Sequence, residues 1–153
     1  MRLSPRVDGW LLELHSAEPK RRERVAESLS SLSENFFDHR KIPKSVRAEL
    51  IGEISSLRDD SEVAVRRCVA QLAGLAGFPS SETEELLGHL LKDPDSDVRA
   101  RAAWACGTIG VASPPFWHTL LSHSEDAEKD VRWRVVWALQ RIRPSQEVGD
   151  AQL

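Results

Sequence analysis

Two cysteines and five histidines are among the side chains that catalysis draws on, and their spacing organises none of them into a reactive set. His118 and His123 are five residues apart and straddle a helix end, and His89 aligns with Thr119 instead of another histidine. Metal ligation on one helix face needs a tighter, repeated spacing, so no metal site is expected. Glu82, Glu84 and Glu85 read as first-turn helix charges. The glycines at 74, 77, 107 and 110 read as helix punctuation and form no phosphate loop. Cys68 and Cys106 fall at or beside small, inward helix positions, which predicts buried free thiols, with neither a disulfide nor an activated nucleophile. No catalytic residue and no cofactor is expected.

Binding chemistry is better represented. Trp137 follows Trp104 by 33 residues, and Trp133 precedes Trp137 by one helical turn. Arg101 lies three before Trp104, while Arg134 and Arg141 lie three before and four after Trp137. At that spacing the rings and guanidinium groups share one helix face, and Trp and Arg dominate interaction hot spots. Trp104, Trp133, Trp137, Arg101, Arg134 and Arg141 are therefore the expected partner-binding surface, more exposed than Trp10 and Trp117, which are expected to pack in the core. The competing expectation is that residues 144–153, or a second copy of the chain, cover Trp133 and Trp137.

The elements that must position these residues are repeats. Asp97 to Gly110, DVRARAAWACGTIG, returns as DVRWRVVWALQRI from Asp130 to Ile142 and is preceded by AVRRCVAQLAGLAG from Ala64 to Gly77. Val65-Arg66, Val98-Arg99 and Val131-Arg132 stay in register at a period of 33, the mark of a stacked array. A degenerate copy, RRERVAESLSSL from Arg21 to Leu32, sets Arg22 44 residues before Arg66. The additional eleven residues fall in an insertion over 33–44, where Phe36 and Phe37 are expected to plug a gap. Asp97 and Asp130 suit the helix N-cap, and Val98, Ala102, Ala105, Cys106 and Ile109 form one apolar stripe.

A second amphipathic segment precedes each copy. Leu86, Leu87, Leu90 and Leu91 precede the third, and Phe116, Trp117, Leu120 and Leu121 occupy the equivalent places before the fourth. Leu50, Ile51, Ile54 and Leu57 precede the second; Trp10, Leu11 and Leu14 precede the first. Helical hairpins of this kind bury their apolar stripes only by stacking.

The D-V-R-x-x-A-A-x-A-x-G-x-I-G pattern of Asp97 to Gly110 resembles the HEAT-like repeat class first named for phycobilisome lyases. The resemblance covers most of residues 10–143. It implies an all-α fold, an α-solenoid of about four HEAT-like hairpins in a single domain over 1–153. The repeats run approximately over 5–32, 45–77, 82–110 and 114–143, with a tail over 144–153. It also implies that the second helices line a concave face. Arg66, Arg99 and Arg132, beside Asp97 and Asp130, resemble the Asp/Arg ladder that ties such repeats together.

The expected function is a non-catalytic protein-interaction module, an adaptor, chaperone or inhibitor that grips a protein or peptide on the Trp/Arg face. Nucleic-acid binding, with surface use like that of HEAT-like DNA repair glycosylases, ranks second, because a net charge of −3 supplies no general basic field. A bilin lyase-type role ranks last. Self-association through the C-terminal repeat is a further expectation. Composition is that of a soluble chain, 41% hydrophobic and 29% charged, with no leader and no membrane span expected, and a cytoplasmic location is the default.

Overall fold

A computed structural model describes residues 3–32, 41–77 and 79–144. Most of the insertion, with Phe36 and Phe37, lies outside the described residues, as do residues 145–153. Eight α-helices occur among the described residues: α1 Pro5–Glu13, α2 Pro19–Ser30, α3 Lys44–Ser55, α4 Val63–Ala76, α5 Ser81–Leu90, α6 Ser96–Ile109, α7 Pro114–Ser122 and α8 Lys129–Arg141. A short 3-10 turn, His123–Glu125, follows α7. The fold is an all-α solenoid of successive helix pairs, with one small addition. The backbone of Val111–Ala112 (β1) after α6 pairs in parallel with Arg143–Pro144 (β2) after α8.

Local chemistry sets the helix ends. Ser4, Ser80, Asp95 and Ser113 accept backbone N–H bonds at the starts of α1, α5, α6 and α7. Gly77 and Gly110 end α4 and α6 with φ of 55° and 75°, the left-handed region that glycine enters without a Cβ clash. Asp97 and Asp130 are not the N-caps that the sequence suggests. Each lies inside the first turn, behind Asp95 and Glu128, because the aspartates two residues further upstream shape the loops.

Those upstream residues are Asp60, Asp93 and Asp126. Each accepts the backbone N–H two residues on, at 2.9 Å, in an Asx turn that aims the following helix. Each also receives an arginine from the preceding layer. Arg66 donates Nε to Asp93 at 2.8 Å, and Arg99 donates Nε and Nη2 to Asp126 at 2.9 and 3.1 Å. The Nη1 of both arginines bonds carbonyls of its own loop, Asp60 for Arg66 and Asp93 and Pro94 for Arg99. Arg22 donates Nη2 to Asp60 at 3.3 Å. A ladder therefore runs through Arg22, Arg66 and Arg99, but its acidic rungs are Asp60, Asp93 and Asp126, not Asp97 and Asp130. The Arg22–Asp60 rung spans 38 residues and the others 27. The difference is the eleven-residue insertion.

The core lies between the two helix rows. Leu50, Ile51, Ile54, Leu72, Leu86, Leu87, Leu90 and Leu120 are fully buried. The second helices α2, α4, α6 and α8 stack on one another more closely than the first helices do, the packing expected of the inner row of a curved array. Ser80 and Ser113 cap α5 and α7, so structural register between these helices is 33. Trp117 thus falls opposite Glu84, not Leu87, and Leu121 falls opposite Gly88 and is exposed. Ile109 is only half-buried, unlike the rest of its stripe.

The Arg99–Asp126 rung carries a pH signature. Burial opposes ionisation of Asp126, but the bond from Arg99, the Glu128 backbone N–H and the Arg99 charge together hold its carboxyl below the usual range. A depressed carboxyl contributes stability above its unfolded value, near pH ~4, and loses it as pH falls through the folded value. Asp126→Asn is expected to cost about 1.5–3 kcal/mol at neutral pH. Urea titrations should show the variant and the parent converging below about pH 4; an unchanged gap at acid pH would count against the rung.

Candidate functional site

Trp104 and Trp137 are neither loose surface rings nor core. Each lies across the preceding second helix, in a notch made by a glycine. A Cβ built on Gly74 would stand 2.4 Å from Cζ3 of Trp104, and one on Gly107 would stand 2.4 Å from Cζ3 of Trp137. The same Cβ positions would stand 3.0 Å from the Cα of Ala105 and Ala138, so the missing side chains also allow close backbone approach. Gly74 and Gly107 lie inside α4 and α6 and are buried. They are not helix punctuation, a correction to the sequence reading, which holds only for Gly77 and Gly110. The notch was visible in the period, since each indole follows its glycine by 30 residues.

Around the first notch the inner row opens into a depression of about 380 Å³ lined by Ser30, Gln71, Asp97, Arg101, Trp104 and Arg134. Gln71 holds in α4 the register that Trp104 holds in α6. Asp97 forms ion pairs with Arg67 and Arg101, at 3.1 and 3.3 Å, and Arg67 also donates Nη2 to Asp95 at 3.0 Å. Burial opposes ionisation of Asp95, yet the bonds from Arg67 and the Val98 backbone N–H hold its carboxyl below the usual range. Arg101 is thus fixed by a carboxylate. Arg134, one layer on, is half-buried and forms no ion pair among the described residues. Arg141 stacks on Trp137 at 4.9 Å from the ring centroid, a cation–π contact that holds the indole in place.

The six expected binding residues are not one patch. Arg101, Trp104 and Arg134 line the groove, and Trp137 and Arg141 form the next layer. Trp133 leaves the set. It holds the register of Ala100, which is buried with Ala103 and Gly107 on the stripe of α6 that meets α8. Trp133 therefore faces away from α6, at the end of the described layers, and is 65% exposed. The expected exposure order holds for Trp133 but not for Trp104 and Trp137, which are half-buried like Trp10 and Trp117. Arg6 covers Trp10 at 4.8 Å.

Reactive groups are not assembled in the groove. Cys68 and Cys106 are buried and unpaired as a disulfide. Burial pushes the Cys68 thiol up to about 12 and raises that of Cys106 as well. Among the described residues no cluster of His, Cys, Asp and Glu has the form of a metal site, and no helix is long and apolar enough to cross a membrane.

The sequence profile for HEAT repeats matches residues 53–140. The chain belongs to the HEAT-repeat family. HEAT repeats are generally protein-interaction scaffolds. The fold is similar to the crystal structure of an engineered protein, a target of the Northeast Structural Genomics Consortium, with a TM-score of 0.66 and 17% identity. The similarity covers 88% of this chain and 61% of the engineered protein. No curated protein matches the sequence.

The notch of this HEAT array predicts a particular coupling. Gly107→Ala gains about 1 kcal/mol of helix propensity yet is expected to lose about 1–3 kcal/mol net, because the new methyl overlaps the Trp137 ring. In a Trp137→Ala background the same change should cost at least about 1 kcal/mol less, read by denaturant titration of the four variants. Equal costs in both backgrounds would mean that the ring does not fill the notch.

Proposed function

We propose that this HEAT array is a non-catalytic protein-interaction module, an adaptor, chaperone or inhibitor, that holds a protein or peptide partner along its inner row. The contact surface is Arg101, Trp104 and Arg134, continued by Trp137 and Arg141. What supports this reading is that the same Arg-Trp pair recurs on two successive layers, with each indole seated in a glycine notch and left half-exposed. A ring already fixed in place loses little conformational freedom on binding. A half-buried guanidinium beside it, with no ion pair among the described residues, gains a charge-assisted bond when a partner acceptor arrives.

Layers in the inner row are roughly 10 Å apart, and an extended peptide advances about 3.3 Å per residue. Groups about three residues apart in a partner then meet successive Arg-Trp pairs. A partner laid this way runs across the helices, along the array.

Affinity capture with and without nuclease tests the reading, comparing wild type with Arg101→Glu/Arg134→Glu after both are shown to fold. The expected outcome is a protein that resists nuclease and is lost with the charge reversal. Retention of every partner by the variant would remove the inner row from the function. Recovery of nucleic acid, or partners released by nuclease, would replace the protein-binding reading with a nucleic-acid one.

A further inference from the structure

The ladder has an unfilled last rung. Arg132 holds the register of Arg66 and Arg99, and its Nη1 is anchored as theirs are, donating to the carbonyls of Asp126 and Ala127 at 2.8 and 3.0 Å. In the two earlier layers that anchorage presents Nε and Nη2 to an aspartate of the following loop. No following loop exists among the described residues, and no carboxylate there pairs with Arg132. The receptor is built and open, since the chain itself twice demonstrates what it takes: one carboxylate, received by both nitrogens.

The surface around it is apolar. Leu121, Trp133 and Val136 are exposed, the latter two by 65% and 45%, although soluble surfaces rarely gather large apolar side chains in one place. All three stand where an internal layer keeps small residues: Gly88, Ala100 and Ala103 hold these positions one layer earlier. A further repeat cannot close on α8 as α8 closes on α6, because Trp133 and Val136 replace the alanines and Gln140 replaces the notch glycine.

A second copy stacked head to tail would not complete the rung. In the first hairpin the ladder position is Ser16, which makes the same turn by accepting the Glu18 N–H at 3.2 Å but carries no carboxylate.

We propose that this end of the array docks a different protein, which inserts an aspartate side chain into the fork of Arg132 and covers Leu121, Trp133 and Val136 with an apolar surface. The site is separate from the inner row and stands or falls independently of it.

The test follows the Nε–H signals of Arg66, Arg99 and Arg132 and the indole N–H of Trp133 by NMR in the full chain. The probe is a synthetic peptide copying residues 122–130, whose Asp126 fills the Arg99 fork in the fold, beside its Asp126→Asn counterpart. The aspartate peptide is expected to shift the Arg132 and Trp133 signals saturably, and the asparagine peptide to bind about tenfold more weakly or less. Arg132→Gln should abolish the response while the Arg66 and Arg99 signals stay in place, which shows that the fold is intact. Equal shifts from both peptides, or none from either, would overturn the proposal. So would an Arg132 Nε–H already bonded in the free protein, whether released by dilution, as a second copy requires, or by Glu147→Gln/Asp150→Asn, as the chain's own C-terminal residues require.

Discussion

The structure depends on one guanidinium used twice. In Arg66 and Arg99 one nitrogen ties the loop that leads into the arginine's own helix, and the other edge grips the aspartate of the next loop. That aspartate in turn folds its own loop and aims its own helix. Each layer therefore fixes the entry of the next, and the register of the second helices follows from a chain of fixed turns. Hydrophobic burial supplies the bulk of the stability in such an array, but it is tolerant of sliding. The fork is directional and sets where each helix comes to rest.

Given that register, glycine and tryptophan complete the inner row. Removing a side chain at Gly74 and Gly107 lets the backbones approach and opens a seat for the indole of the next helix. The ring that looks like surplus apolar surface is thus a spacer between layers that keeps one face half-exposed. Arginines arrive on the same side because the 33-residue period repeats Arg101 at Arg134 along with the rings. Stacking and the proposed binding draw on the same residues.

Much of this was legible in the sequence. The period, the hairpin units and the buried thiols follow from residue spacing, because repeats translate sequence register directly into spatial register, and the family resemblance implied an Arg/Asp ladder. What was not legible is which aspartate each arginine meets. Asp97 and Asp130 sit closer in sequence to the arginines, yet they lie in the first helical turn, and Arg66 and Arg99 meet the loop aspartates of the next layer instead, while Asp97 reaches across only to Arg67. Trp133 was grouped with Trp137 from helical spacing alone. Whether a helix face looks inward or toward the end of the stack depends on which layer is last, and periodicity carries no information about ends. Gly74 and Gly107 were misread for the related reason that a glycine within a helix is locally a weakness. Its purpose sits 30 residues away.

The interfaces between layers are not equal. Between α6 and α8 the fork is doubly bonded and a tryptophan fills the notch; between α4 and α6 the same parts recur. Between α2 and α4, Ser30 and Gln71 stand in place of glycine and tryptophan, and Arg22 Nε lies 2.9 Å from Asp60 without the alignment of a hydrogen bond. Helix contact is correspondingly loosest there among the three. The junctions are thus graded in kind, the first lacking the glycine notch and its indole and the later two sharing both. Two layers of the array therefore repeat one surface in kind, and the first layer presents a polar one in its place.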